Sequence, residues 1–151
     1  MRVVILGTGT GVGKTFFTAA LARALVTSEP GARVLALKPI ETGIRSLHRS
    51  GPPAGTDAAL LESVSSAGLR MRPHPLYGFK RPISPHLAAR DVDRRILPRE
   101  VARWLAKAEE PFDDTLHCWS LVETAGGAFS PLGARLTNAD LASTLDPAVW
   151  I

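Results

Sequence analysis

The rhythm of hydrophobic and polar positions changes several times along this chain, and each change marks an element. Arg2-Val3-Val4-Ile5-Leu6 is a short β-branched run without polar alternation, which predicts a strand buried on both faces over residues 2–6. The spacing then becomes helical from Lys14 to about Val26, with Phe17, Leu21, Ala24 and Leu25 on one face, until Glu29-Pro30-Gly31 breaks it. A second run, Arg33-Val34-Leu35-Ala36-Leu37, predicts a second strand. Two strands joined by a helix make a parallel βαβ unit.

Beyond that unit the pattern loosens. Residues 44–55 are rich in Gly and Pro, carry Arg45, His48 and Arg49, and predict a loop. Thr56 is placed as an N-cap, with Asp57 in the first turn of a helix reaching about Ser66; Ala59, Leu60, Leu61 and Val64 are its apolar positions. Residues 71–85 carry Pro73, Pro75, Pro82 and Pro85 and predict irregular chain around Tyr77 and Phe79. Ser84 before Pro85 reads as an N-cap and a first helical position. Pro98 opens a helix to about Glu109 whose Val101, Trp104, Leu105 and Ala108 form one apolar face, which assigns Trp104 to the core. Residues 119–123 predict a third strand ending at Glu123, and residues 138–145 a short helix. Pro147-Ala148-Val149-Trp150-Ile151 starts one more apolar run.

Size and composition narrow the class. The 151 residues suit one domain with a sizeable core, and 45% hydrophobic with 21% charged residues is ordinary for a soluble globular chain. One cysteine, Cys118, excludes an internal disulfide; within its apolar stretch it reads as a buried, inert thiol. The first apolar run is too short for a signal peptide, and no stretch approaches the length of a membrane span. The expectation is a cytoplasmic protein with no membrane partner. The net charge of +4 comes from arginines, among them Arg2, Arg23, Arg33, Arg70, Arg72, Arg90, Arg94, Arg95 and Arg99. They are scattered rather than clustered with aromatics, which speaks against nucleic acid and suits ligands bearing phosphate and carboxylate.

The chemistry concentrates between the first strand and the first helix. Gly7-Thr8-Gly9-Thr10-Gly11-Val12-Gly13-Lys14-Thr15 has the order a phosphate-binding loop requires: strand, glycine-rich turn, Gly-Lys-Thr, helix. Small residues let backbone N–H groups turn inward around phosphate oxygens, and the helix N-terminus points its positive end at the same anion. Lys14 can reach the outer phosphates and the Thr15 hydroxyl can hold Mg²⁺. The strict template places its first glycine where Thr8 stands; here it is Gly7, so this is a variant loop with one more residue between the outer glycines. The fold class expected is α/β, a P-loop NTPase-like, mostly parallel sheet with flanking helices, built as one domain over residues 1–151 with its C-terminal strands missing.

Other candidates follow from topology. In open α/β sheets ligands sit outside the carboxyl ends of the strands, which brings Lys38 and Thr42 near the phosphate loop. Taken alone, Lys38 fits a solvated turn lysine equally well. Asp57 alone reads as a carboxylate favoured by the helix dipole, and His86 as a ligand contact or an ordinary surface histidine. Glu123 ends a buried strand before Thr124-Ala125-Gly126-Gly127, which resembles the second Mg²⁺-holding element of phosphate-loop enzymes; taken alone it fits an ordinary strand-end acid equally well, and the loop at Gly7 to Thr15 favours the metal role.

Taken together, Gly7 to Thr15, Lys38-Pro39-Ile40-Glu41-Thr42-Gly43, Thr56-Asp57-Ala58, Ser84-Pro85-His86 and Val122-Glu123-Thr124-Ala125-Gly126-Gly127 resemble dethiobiotin synthetase across nearly the whole chain. That family is a homodimeric, ATP- and Mg²⁺-dependent cyclo-ligase that joins CO₂ (or bicarbonate) to 7,8-diaminononanoate in biotin synthesis. The resemblance implies that Gly11, Val12, Gly13, Lys14, Thr15 and Phe16 bind the ATP phosphates. It implies that Asp57, Glu123, Thr124, Ala125 and Gly126 lie against the nucleotide, and that Thr15, Asp57 and Glu123 hold Mg²⁺. Lys38 becomes the catalytic lysine and Thr42 a contact of the diamine. Asp57 thereby acquires a role that its position alone does not give it. The sequence departs from the family at Gly9, usually Asp, and at Thr124, usually Gly. Family members are also longer, with further strands, adenine-recognising segments and a loop that crosses the dimer, so the expectation is a C-terminally truncated form. Two alternatives stand beside this reading. One is a nucleotide-switch ATPase of the partitioning or cell-division type, which the absence of a lysine early in the loop disfavours. The other is a catalytically inactive fragment.

Overall fold

The computed structural model describes residues 1–45, 51–72, 74–112 and 117–151. Part of the loop expected over 44–55, including His48 and Arg49, and Pro73 therefore lie outside the described residues.

A four-stranded, all-parallel sheet forms the centre. It contains β1 (Arg2–Ile5), β2 (Arg33–Leu37), β5 (Cys118–Glu123) and β8 (Val149–Trp150), in the order β2-β5-β1-β8. β1 pairs with β5 so that Ile5 stands opposite Glu123, and β2 pairs with β5 so that Leu37 stands opposite Val122. The βαβ unit expected from the pattern is present, with β5 inserted between its two strands. The closing apolar run becomes β8 along the other side of β1. Alternate residues of each strand face opposite layers. Val3, Ile5, Val34, Ala36 and Leu121 pack with Ala19 and Ala22 of α1 (Lys14–Ser28) and Leu61 of α2 (Asp57–Val64). Val4, Leu35, Leu37 and Val122 pack against α3 (Pro85–Arg90), α4 (Pro98–Glu109) and α5 (Asn138–Thr144). Strands covered on both faces explain why they read as continuous apolar runs.

Two helices behave as the pattern requires. The N-terminal Pro98 opens α4, and Val101, Trp104, Leu105 and Ala108 are its buried residues. The Thr56 side chain caps α2 by accepting from the Ala59 N–H at 3.2 Å. Cys118 is buried, as expected. In α1 the expected face is corrected. Its buried residues are Lys14, Thr18, Ala19 and Ala22, whereas Phe17 and Ala24 are exposed and Leu21 and Leu25 only half-buried. Small side chains let this helix approach the sheet closely, which forces the larger ones to its flanks. Leu60 of α2 is likewise exposed, with Ala58 and Leu61 inward.

The proline-punctuated region holds an unanticipated strand. β4 (Tyr77–Phe79) runs parallel to β3 (Ile40–Thr42), with Ile40 opposite Tyr77 and Thr42 opposite Phe79. A short hairpin of β6 (Pro131–Gly133) and β7 (Leu136–Thr137) precedes α5, which Thr137 and Asp140 cap reciprocally. Among the described residues β2 pairs on one side only. Along its other side the N–H groups of Val34, Ala36 and Lys38 donate to Ser66 Oγ (2.9 Å), Ser65 Oγ (2.9 Å) and His74 Nε2 (3.0 Å). Side chains thus satisfy the donors that an edge strand would otherwise present. Among the described residues no helix is long and apolar enough to cross a membrane.

Candidate functional site

The carboxyl ends of β1, β2 and β5 meet at one place, and the glycine-rich loop lies across it. Gly11 and Gly13 take φ of 76° and 93°, left-handed values that favour glycine, and Gly13 is the N-cap of α1. Lys14 is buried and its Nζ donates to the Gly9 carbonyl at 2.6 Å. The side chains of Val12 and Phe16 face outward, Phe16 with 79% exposure. On its inner side the loop packs backbone to backbone against the segment after β5. The Ala128 N–H donates to the Gly7 carbonyl at 2.7 Å, and a Cβ on Gly127 would stand 2.6 Å from the Thr8 carbonyl oxygen.

Glu123 gathers groups from three elements. Its carboxylate, 1% exposed, accepts from Lys38 Nζ at 2.7 Å and from Thr15 Oγ1 at 2.8 Å, both on Oε1. Lys38, directly after β2, also forms an ion pair with Asp57, the half-exposed first residue of α2. Glu123 Oε2 is buried without a partner among the described residues. Glu41 fixes the junction: its two carboxylate oxygens accept the N–H groups of Asp57 (2.8 Å) and Ala58 (3.1 Å). The helix N-terminus favours that negative charge.

The electrostatics follow. Burial works against the Lys38 ammonium, but Glu123 and then Asp57 outweigh it and hold its pKa above the ordinary lysine value. For Lys14 burial prevails over the attraction of Glu123, and its pKa falls below the ordinary value. Burial raises the Glu41 carboxyl, partly offset by the two N–H donors. Burial pushes the His74 imidazole down to about 4, which keeps Nε2 free to accept from Lys38.

The donor set suits a hard divalent cation. Among the described residues no three His, Cys, Asp or Glu side chains converge as a metal group. Mg²⁺, however, is commonly held by one or two carboxylates together with phosphate oxygens and water. An unpartnered buried carboxylate oxygen on Glu123, the Thr15 hydroxyl beside it and the Asp57 carboxylate match that chemistry.

Thr10, Lys38, Glu41, Thr42, Asp57, Ser84, Gly126 and Ser130 line a cleft of about 430 Å³ that opens beside the lysine. A second cleft, about 330 Å³, runs over Leu6, Thr8, Val12, Gly13, Lys14, Phe17 and Ile151. Of the expected residues, Lys14, Thr15, Lys38, Asp57 and Glu123 come together, Thr42, Ala125 and Gly126 border the same cleft, and Gly11 and Gly13 turn the loop. The Thr124 side chain turns away, its Oγ1 donating to the Ile5 carbonyl at 3.0 Å, which accommodates this departure from the family pattern. His86 ties α3 to β6 instead: its Nδ1 lies 3.1 Å from both Ser84 Oγ and the Pro131 carbonyl. The sequence did not mark Glu41, His74 or Asn138 as site-building residues. Asn138 holds the segment after β5, with Nδ2 donating to the carbonyls of Ala125 (2.6 Å) and Gly127 (2.9 Å). Glu41 and His74 sit in stretches too short to be periodic, and only their burial reveals them.

A family model described as an AAA domain matches residues 1–150. The chain is 35% identical over 139 residues to the ATP-dependent dethiobiotin synthetase of Baumannia cicadellinicola, covering 92% of this chain and 58% of that protein. It is 35% identical over 143 residues to the Salmonella typhi enzyme of that name, covering 95% and 59%. It is 38% identical over 150 residues to the one from an Anaeromyxobacter strain, covering 97% and 60%. The chain spans about three fifths of the length of the curated relatives it matches.

Proposed function

The chain belongs to the AAA-domain family, and from that premise we propose that it carries the phosphate-handling part of an ATP-dependent dethiobiotin synthetase. The observation that carries this reading is the meeting of Lys38, Thr15 and Asp57 around the buried Glu123, at the mouth of the phosphate loop. The substrates would be ATP, CO₂ or bicarbonate, and 7,8-diaminononanoate, in a cytoplasmic homodimer.

In the reaction, one amine of the diamine captures CO₂ as a carbamate and loses a proton. A carbamate oxygen attacks the γ-phosphorus and ADP leaves. The second amine then attacks the carbamoyl carbon and loses a proton, phosphate departs and the cyclic urea closes. The phosphoryl step needs charge neutralisation and alignment more than covalent help. Gly11 to Phe16 would wrap the phosphates, with N–H groups at the start of α1 donating to them. Lys14 would leave the Gly9 carbonyl for a phosphate oxygen. Lys38, with a pKa above the ordinary lysine value, is a cation at neutral pH. It would therefore stabilise charge on the transferring phosphoryl group and the carbamate and would not act as a base. Thr15, Asp57 and Glu123 would hold Mg²⁺, which would supply positive charge to neutralise the phosphates. Thr42 and the cleft beside Lys38 would receive the diamine, with Glu41 and Asp57 lending it an acidic wall. Ala125 and Gly126 would flank the nucleotide.

Phosphate release tests this. The natural full-length protein with ATP, Mg²⁺ and bicarbonate should release phosphate only when the diamine is present, and Lys38→Ala should abolish that release. Diamine-independent release, or none, would overturn the reading.

A further inference from the structure

Among the described residues, the buried Lys14, Lys38, Glu41 and Glu123 belong to the site, whereas the buried Tyr77, Cys118 and His74 do not. His74 is 2% exposed, lies away from the cleft lining, and takes no part in the chemistry above. Its Nε2 accepts the backbone N–H of Lys38 at 3.0 Å. It is the last of three side-chain acceptors along the free side of β2, after Ser66 and Ser65. The two serines hold residues inside the strand. His74 holds the residue at which the strand ends and the candidate catalytic lysine begins. The chain that follows His74 continues the same grip, since the Tyr77 N–H donates to the Pro39 carbonyl at 2.9 Å and β4 then pairs with β3. The imidazole is itself fixed: Nδ1 faces the Glu62 carboxylate at 3.9 Å, and the ring lies 6.0 Å from the Trp104 ring. Arg72 bonds Glu62 at 2.7 Å, so the acid beside the imidazole is held in turn.

We propose that His74 is a positioning residue: by accepting the Lys38 N–H it sets where the lysine leaves the sheet, and so holds the Lys38 ammonium between Glu123 and Asp57. The proposal rests on the ligase reading for its kinetic consequence. Without this acceptor the buried Lys38 N–H loses its partner, and a backbone shift at the strand end would carry the side chain with it. A shift of about 1 Å at a charge-stabilising group suffices to slow a reaction by roughly 100-fold.

The test compares substitutions at His74 in the natural full-length protein. In His74→Gln the amide oxygen reaches the place of Nε2 and still accepts; in His74→Asn it falls short; His74→Leu has no acceptor. The expected result is a kcat lower by roughly 10- to 100-fold in His74→Leu and His74→Asn with the KM for ATP nearly unchanged, and recovery of most of the rate in His74→Gln. Equal losses in all three, or none in any, overturn the proposal. Tryptophan fluorescence checks that each variant is folded; should His74→Leu not fold, the Asn–Gln pair decides alone. The ¹⁵N signal of the Lys38 ammonium gives a readout that needs no turnover. It should move in His74→Asn and stay in place in His74→Gln, and an unmoved signal in both counts against positioning. If the unaltered protein releases no diamine-dependent phosphate, the ligase reading fails, and the Lys38 signal still decides for or against His74.

Discussion

Replacing Lys38 by methionine separates a buried ion pair from a surface contact. The methionine keeps most of the side-chain volume and removes the ammonium that stands 2.7 Å from Glu123 Oε1. Glu123 then keeps Thr15 as its remaining partner on Oε1, while Oε2 already has none. A stranded buried charge of this kind costs about 3–5 kcal/mol. The Asp57 half of the pair is half-exposed and adds no more than about 1 kcal/mol. For a chain of 151 residues, a loss of about 3 kcal/mol lowers Tm by roughly 6–12 °C. Urea unfolding followed by tryptophan fluorescence measures it. The double variant Lys38→Met with Glu123→Gln removes both charges and should be more stable than the sum of the single losses predicts, by about 1–3 kcal/mol. Strictly additive losses, or a Lys38→Met variant within about 0.5 kcal/mol of the unaltered protein, would refute the buried pairing.

Other outcomes follow from single contacts. Gly127→Ala places a Cβ 2.6 Å from the Thr8 carbonyl oxygen and should displace the phosphate loop, weakening binding of a non-hydrolysable ATP analogue in calorimetry more than it lowers Tm. Trp104→Ala empties a buried site on α4 and should cost about 3–5 kcal/mol in urea unfolding. The His74 pKa is depressed in the fold, so the unfolded chain binds the extra proton first. Its contribution is present above about pH 6.5 and is lost as pH falls toward about 4, at most roughly 3 kcal/mol. A urea midpoint that falls across that window in the unaltered protein and less in His74→Gln bears this out, and equal slopes contradict it. Thr56→Ala removes the cap of α2 and should cost about 0.5–2 kcal/mol, read as a lower Tm.

The sheet strands were legible because burial on both faces leaves an apolar run that needs no partner to be recognised; β1, β2 and β5 show this. The face of α4 was legible because its neighbours are large and its other side polar. The face of α1 was not, since alanines and a threonine line the sheet there and the phenylalanines mislead. β3 and β4 span three residues each, too few for a period, and their pairing joins positions far apart in the chain. At the site, the phosphate loop was legible by its spacing, and Glu123 as the acid ending an apolar strand only once paired with that loop. Lys38 as a turn lysine did not announce its burial, which comes from the arrival of β5 and α2 beside it. His74 and Glu41 depend wholly on tertiary contact, one through the Lys38 N–H and the other through the start of α2.

On the proposed ligase reading, the phosphate loop and the lysine beside Glu123 act on one carbamate. Oxygen transfer reads this directly. The natural full-length protein, given ATP, Mg²⁺, the diamine and freshly dissolved CO₂ carrying ¹⁸O, should pass one labelled oxygen into each phosphate released, because the carbamate oxygen that attacks the γ-phosphorus leaves with it. Unlabelled phosphate would mean that water is the attacking group and would rule out a carbamate as the nucleophile.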